Sequence, residues 1–162
     1  MGTESLEPRV WNGERGTENM VEPNKFVKDK IAQTDTIGPR PAKAELKHVP
    51  WSSVEVEELN PLIRRQFVVG HEIMVARVLM KKGAIVPEHS HRNEQVSYIL
   101  EGALKFWVGG QELVVREGEV LTIPPDLPHR AEALLDTVDL DIFNPPRADW
   151  INKTDLYLRR GS

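Results

Sequence analysis

Residues 89–95 read HSHRNEQ. His89 and His91, two of the chain's five histidines, stand two positions apart, and Gln95 follows four residues later. Side chains two apart on a strand share a face, so both imidazoles can turn toward one cation. A bend at Arg92–Asn93 would return Gln95 to the same side. Far along the chain the stretch PPDLPH ends in His129, which a closed sheet can bring alongside. Three imidazoles and an amide oxygen suit a divalent transition ion such as Zn, Ni, Mn, Fe or Cu. An HxH pair alone can be two polar residues on a strand surface. The pair together with Gln95 and His129 is much harder to reach by chance. His48 and His71 lack such company and read as surface or loop residues.

A glutamine ligand carries no charge where a carboxylate would carry one. The cation then keeps its full +2, acts as a stronger Lewis acid and attracts anions, but is held less tightly. Glu94 stands beside it, and a one-residue slip would make it the ligand instead. The six residues from Gln95 to Gly102 favour Gln95.

A second cluster is DLDIFNPPR, residues 139–147. Asp139, Asp141 and Phe143 alternate with Leu140 and Ile142, so the two sets face opposite ways. If Asp141 and Phe143 share the metal's face, a carboxylate and an aromatic wall enter its pocket. Arg147, just past Pro145-Pro146, would then close over the mouth and grip a substrate carboxylate in a bidentate manner. In the opposite arrangement the aspartates face solvent and Leu140 and Ile142 fill the core, and composition favours that one.

These residues need strands to position them. Period-two patterning begins at residue 62 and predicts strands at 63–69, 72–80, 84–88, 95–100, 103–108, 111–115, 119–123, 129–134 and 137–143, separated by Gly and Pro signals. That is the pattern of an all-β sandwich or barrel. Gly109-Gly110 inside FWVGGQELVV predicts a tight hairpin, and PRADWI, 146–151, predicts the start of a short closing helix. Residues 1–50 differ: they hold five of the twelve prolines and only isolated apolar residues. They read as a mostly irregular extension that builds no core of its own, with one short helix predicted at 24–33. The expected division is an extension at 1–50, a barrel at 51–150 and a C-terminal tail at 151–162. Net charge is -4 and the pI is near 5.8, with no basic stripe, so no nucleic-acid partner is expected. No apolar run reaches membrane-spanning length, and no signal peptide is expected from the N-terminal composition. The absence of cysteine excludes disulfides and thiolate sites and suits a cytoplasmic location.

The spacing also resembles a known family. Gly83, His89, His91, Gln95 and Gly102, followed by Gly118, Pro124, Asp126 and His129, match the two motifs of the cupin superfamily over about residues 60–147. Asp126 stands where the family usually has Gly, and Ala133 where it often has Asn. Asp tolerates the left-handed turn conformation such a position asks for. The resemblance implies a single cupin (jelly-roll) β-barrel with His89, His91, Gln95 and His129 as metal ligands. With the later D-x-F-x-x-x-R pattern, the chain resembles pectin-degradation cupins of the KdgF type, which convert unsaturated uronates into linear keto sugars. That resemblance implies Asp141, Phe143 and Arg147 as active-site residues. HRNEQ and FNPPR are also similar to the bacilysin-biosynthesis cupins, which isomerise a prephenate-derived keto acid. Both imply proton transfer on a small carboxylated, oxygenated substrate by a lyase or isomerase. A metal-dependent dioxygenase and a non-enzymatic small-acid or sugar-binding protein remain as alternatives, with a hydroxynitrile-lyase-like activity behind them. Small cupins pair through a sheet, so a homodimer is expected.

Overall fold

The computed structural model describes residues 45–159. The helix predicted at 24–33 lies outside them. After a 3₁₀ turn at Trp51–Ser53, ten strands follow: β1 (Glu57–Asn60), β2 (Ile63–Val69), β3 (Met74–Met80), β4 (Ile85–His89), β5 (Glu94–Glu101), β6 (Ala103–Val108), β7 (Gln111–Arg116), β8 (Val120–Ile123), β9 (His129–Ala133) and β10 (Thr137–Asn144). Two four-residue helices close the described chain, α1 (Ala148–Ile151) and α2 (Leu156–Arg159). The nine strands expected from alternation are all present, within about two residues at their ends. β1 and α2 are additions, because four-residue elements offer too little pattern to read.

The strands form two antiparallel sheets. One has the order β1-β2-β3-β10-β5-β8 and the other β4-β9-β6-β7. Their inner faces meet over Ile63, Met74, Ala76, Met80, Ile99, Leu104, Phe106 and Ile123, all buried. This is the jelly-roll architecture of two packed sheets. Two turns depend on glycine. Gly109 and Gly110 adopt φ of 57° and 76° between β6 and β7, as a primed two-residue hairpin requires. Gly102 turns β5 into β6 at φ 86°, and a Cβ there would lie 2.3 Å from the Asp136 carbonyl oxygen. Both left-handed backbone and close approach exclude a side chain.

The register of β10 sets the depth of the interior. Phe143 lies between Met74 and Gln95, Asp141 between Ala76 and Ser97, and Asp139 between Val78 and Ile99. Thr137, Asp139, Asp141 and Phe143 are buried, while Leu140 and Ile142 are only half-buried on the outer face. The arrangement that composition favoured, with both aspartates in solvent, is therefore reversed. A polar inner face is tolerated here because a cavity, rather than packed side chains, faces Asp139 and Asp141.

Candidate metal centre

His89 ends β4 and His129 opens β9, and the two pair directly in the ladder. His91 sits in the bend before β5, and Gln95 is the second residue of that strand. Arg92 and Asn93 form the expected bend. It leaves Gln95 buried and Glu94 exposed, so the register points the amide, not the carboxylate, inward. Asp126 adopts φ 62°, the left-handed turn expected at that position. Its N–H donates to the His91 carbonyl at 2.8 Å, which ties the two histidine-bearing loops together.

The three imidazoles share one hydrogen-bonding pattern. Nδ1 of His89 donates to the Pro87 carbonyl at 2.9 Å, Nδ1 of His91 to Asn93 at 3.0 Å, and Nδ1 of His129 to Leu127 at 2.7 Å. A carbonyl only accepts, so each ring carries its hydrogen on Nδ1 and keeps a lone pair on Nε2. Donor atoms of the three rings lie within 4.8 Å of one another. His129 Nε2 is buried with no hydrogen-bond partner among the described residues. His91 Nε2 lies 3.1 Å from Gln95 Oε1, so two lone pairs face each other. The Gln95 amide nitrogen is turned the other way, donating to Asp141 at 2.8 Å and to Ser97 at 3.0 Å. Converging acceptors without a hydrogen between them fit a cation. Protons are disfavoured in its place. Burial, then the His129 ring, takes His89 down to about 3. Burial, then the Arg147 charge, takes His91 down to about 4. Burial also lowers His129.

Behind this cluster stands Asp141. Burial pushes its carboxyl up to about 6, against the hydrogen bonds from Ser97 and Gln95 and the Arg147 charge that favour the anion. Asp139, one layer deeper, is raised well above the ordinary carboxylate range by burial and by Asp141. Phe143 meets the His91 ring edge-on, centroids 5.7 Å apart. Arg147 is also brought to the cluster, but it does not lie open across the mouth. It is 1% exposed, with its guanidinium near the Phe143 and Trp150 rings at 5.3 and 4.9 Å. Its Nε and Nη2 donate to the two Asp149 oxygens at 2.9 and 2.7 Å, and Nη2 also donates to the Tyr157 hydroxyl at 2.9 Å.

Three residues near the cluster escape the sequence reading. Ser97 donates to Asp141; its position two after Gln95 on one strand was the available signal. Asn93 is buried and donates its side-chain amide to the Pro145 carbonyl, linking the His91 bend to the segment leading to Arg147. Tyr157 stacks on His89 at 4.3 Å and 21°, from a segment read as a tail, and no local pattern announces it. The cavity the cluster faces has a free volume of about 40 Å³.

A family model described as "Cupin domain" matches residues 76–143. An RmlC-like cupin from Shewanella frigidimarina is 30% identical, with a TM-score of 0.61 over 67% of this chain and 99% of that one. The structure of KdgF from Halomonas sp. is 26% identical, with a TM-score of 0.57 over 59% of this chain and 90% of that one. The Bacillus subtilis oxalate decarboxylase, described with Mn(II) centres, is 19% identical with a TM-score of 0.56, covering 66% of this chain and 32% of that one; at that identity it speaks to the fold alone. No curated protein sequence matches the chain. Taken with the two-sheet architecture, the match along nearly the whole of the Shewanella protein shows that this chain belongs to the cupin family.

Proposed function

We propose that this cupin is a metal-dependent enzyme that moves protons on a small carboxylated, oxygenated substrate of the sugar-acid kind, as a lyase or isomerase. The carrying observation is Asp141: a fully buried carboxyl poised near 6 and one hydrogen bond from Gln95. A general acid–base group works best with a pKa near the working pH. The likeness to KdgF from Halomonas sp. supports the sugar-acid class.

Held by His89, His91, Gln95 and His129, a divalent ion would supply Lewis acidity toward a substrate hydroxyl or carbonyl. Asp141 takes a proton from one substrate atom and returns it to another, so the substrate isomerises with no external oxidant. Ser97 and the Gln95 amide aim its carboxylate and stabilise the anion that takes the proton and is restored when the proton is returned. Phe143 packs on the carbon skeleton, and Arg147, once its edge is released from Asp149, fixes the carboxylate. The neutral Gln95 leaves the ion's charge uncompensated, which favours an anionic substrate. The same reading makes the chain a cytoplasmic homodimer paired through the outer face of the larger sheet, where Tyr98 and Val120 are exposed. A monomer in sedimentation at micromolar concentration would overturn that part.

The test incubates the metal-loaded protein with an unsaturated uronate, following its ultraviolet band and dissolved oxygen together. Loss of the band without oxygen uptake is expected. Oxygen uptake coupled to substrate loss identifies a dioxygenase, and ligand recovered unchanged identifies a binding protein. Asp141→Asn should lower turnover by about 10²–10⁴-fold with metal content unchanged; full activity in that variant removes the acid–base role.

A further inference from the structure

Edge strands β1 and β4 belong to different sheets and are not paired with each other. The seam between them is filled by the C-terminal segment, with α2 packing on both strands. Leu158 is buried in the core, and Tyr157 stacks on the His89 ring. With the seam filled, the 40 Å³ cavity has room for about three waters, whereas ligand pockets run to about 300–1,000 Å³. A sugar-acid-sized molecule needs one wall to move.

The walls differ in how they are held. β10 is laddered to β3 and β5 on both sides along its length. The C-terminal segment is held mainly by side chains. Asp155 and Glu57 pair with Arg65 at 2.8 and 2.7 Å, and Arg159 reaches Glu57 at 2.6 Å and Asp155 at 3.0 Å. Asn60 donates to the Leu158 carbonyl at 3.1 Å. Segments held by few backbone bonds open at lower free energy than laddered strands.

We propose that the segment from Asp149 to Arg159 is a gate in the seam and that Tyr157 is its inner wall, closing the metal pocket over the His89 ring. Opening parts Tyr157 from His89 and frees the Arg147 edge now filled by Asp149. The substrate carboxylate then takes the place of that internal carboxylate. The carboxylate exchange rests on the proposed function; the gate itself rests only on the seam.

Hydrogen exchange on the full-length protein as purified tests the gate without any substrate. Amides at 150–158 should exchange faster than those at 138–142. Asp155→Asn should speed the first set by a further tenfold or about that, the worth of one charge-assisted hydrogen bond, and leave the second unchanged. Equal protection of both segments in the wild type, or equal acceleration of both in the variant, overturns the gate. Zinc release to a colorimetric chelator tests Tyr157. Tyr157→Ala should release zinc about tenfold faster, and Tyr157→Phe, which keeps the ring over His89, should restore slow release. Wild-type release from the alanine variant overturns the wall. Absence of uronate turnover counts against the proposed reaction and leaves both of these results standing.

Discussion

His129 and Tyr157 face the same cavity, yet they are held there by different means. His129 starts a strand laddered to β4 and β6, and its ring is aimed by a backbone carbonyl. Tyr157 rides on a four-residue helix and is aimed by Arg147, itself held by Asp149. Groups fixed by backbone keep their geometry when the surroundings exchange. Groups fixed by side-chain pairs can let go one bond at a time. The pocket thus combines a rigid half that sets the chemistry with a releasable half that sets access.

The contrast can be broken most severely at the rigid half. His129→Ala removes a converging lone pair, so metal affinity should fall by more than the roughly 10–100-fold typical of an outer-shell change, read as metal retained after dialysis. Asn93→Ala is milder. It leaves the Pro145 carbonyl without its buried donor and should lower stability by about 1–3 kcal/mol. Chemical denaturation measures this, and metal content should match that of the wild type.

The releasable half should respond to acid. Burial raises Glu57, but the hydrogen bonds and charges of Arg65 and Arg159 outweigh it and hold the carboxyl below its ordinary range. A depressed carboxyl contributes its stability above the unfolded value and loses it as pH falls through the folded one. Glu57 faces Arg65 and Arg159, with Asp155 sharing both arginines. Protection at 150–158, taken relative to the intrinsic exchange rate at each pH, should therefore fall below the ordinary carboxylate value of 4.5, and Glu57→Gln should flatten that response. The smallest effect is expected away from both halves: Lys81→Ala breaks an ion pair whose side chains are 61% and 63% exposed. Screening by water leaves such a pair little net value, so the unfolding midpoint should not move measurably.

The legible parts of this molecule are those encoded by short-range spacing. Alternation located the strands, Gly109-Gly110 located a hairpin, and the interval from Gln95 to Gly102 chose the inward residue of β5. The inward turn of Asp139 and Asp141 was not legible from composition, because hydrophobic burial predicts the reverse and only the cavity overrides it. The seam was also hidden. Asn60 reaches the Leu158 carbonyl across 98 residues, and Tyr157 meets His89 from a stretch too short to carry a periodic signal. Contacts of that range belong to topology, which one sequence discloses only after the sheets are assembled.

The three carbonyls that hold the histidine Nδ1 hydrogens carry a further consequence. Ring orientation and tautomer are settled during folding, so the metal-free chain is already a chelator with its arms set. Loading with a cation would then require little rearrangement of the donors. Such a preset nitrogen-rich site ranks divalent ions in the usual order of affinity. For an ion held there, selection would rest on ligand type, geometry and cellular supply rather than on raw affinity.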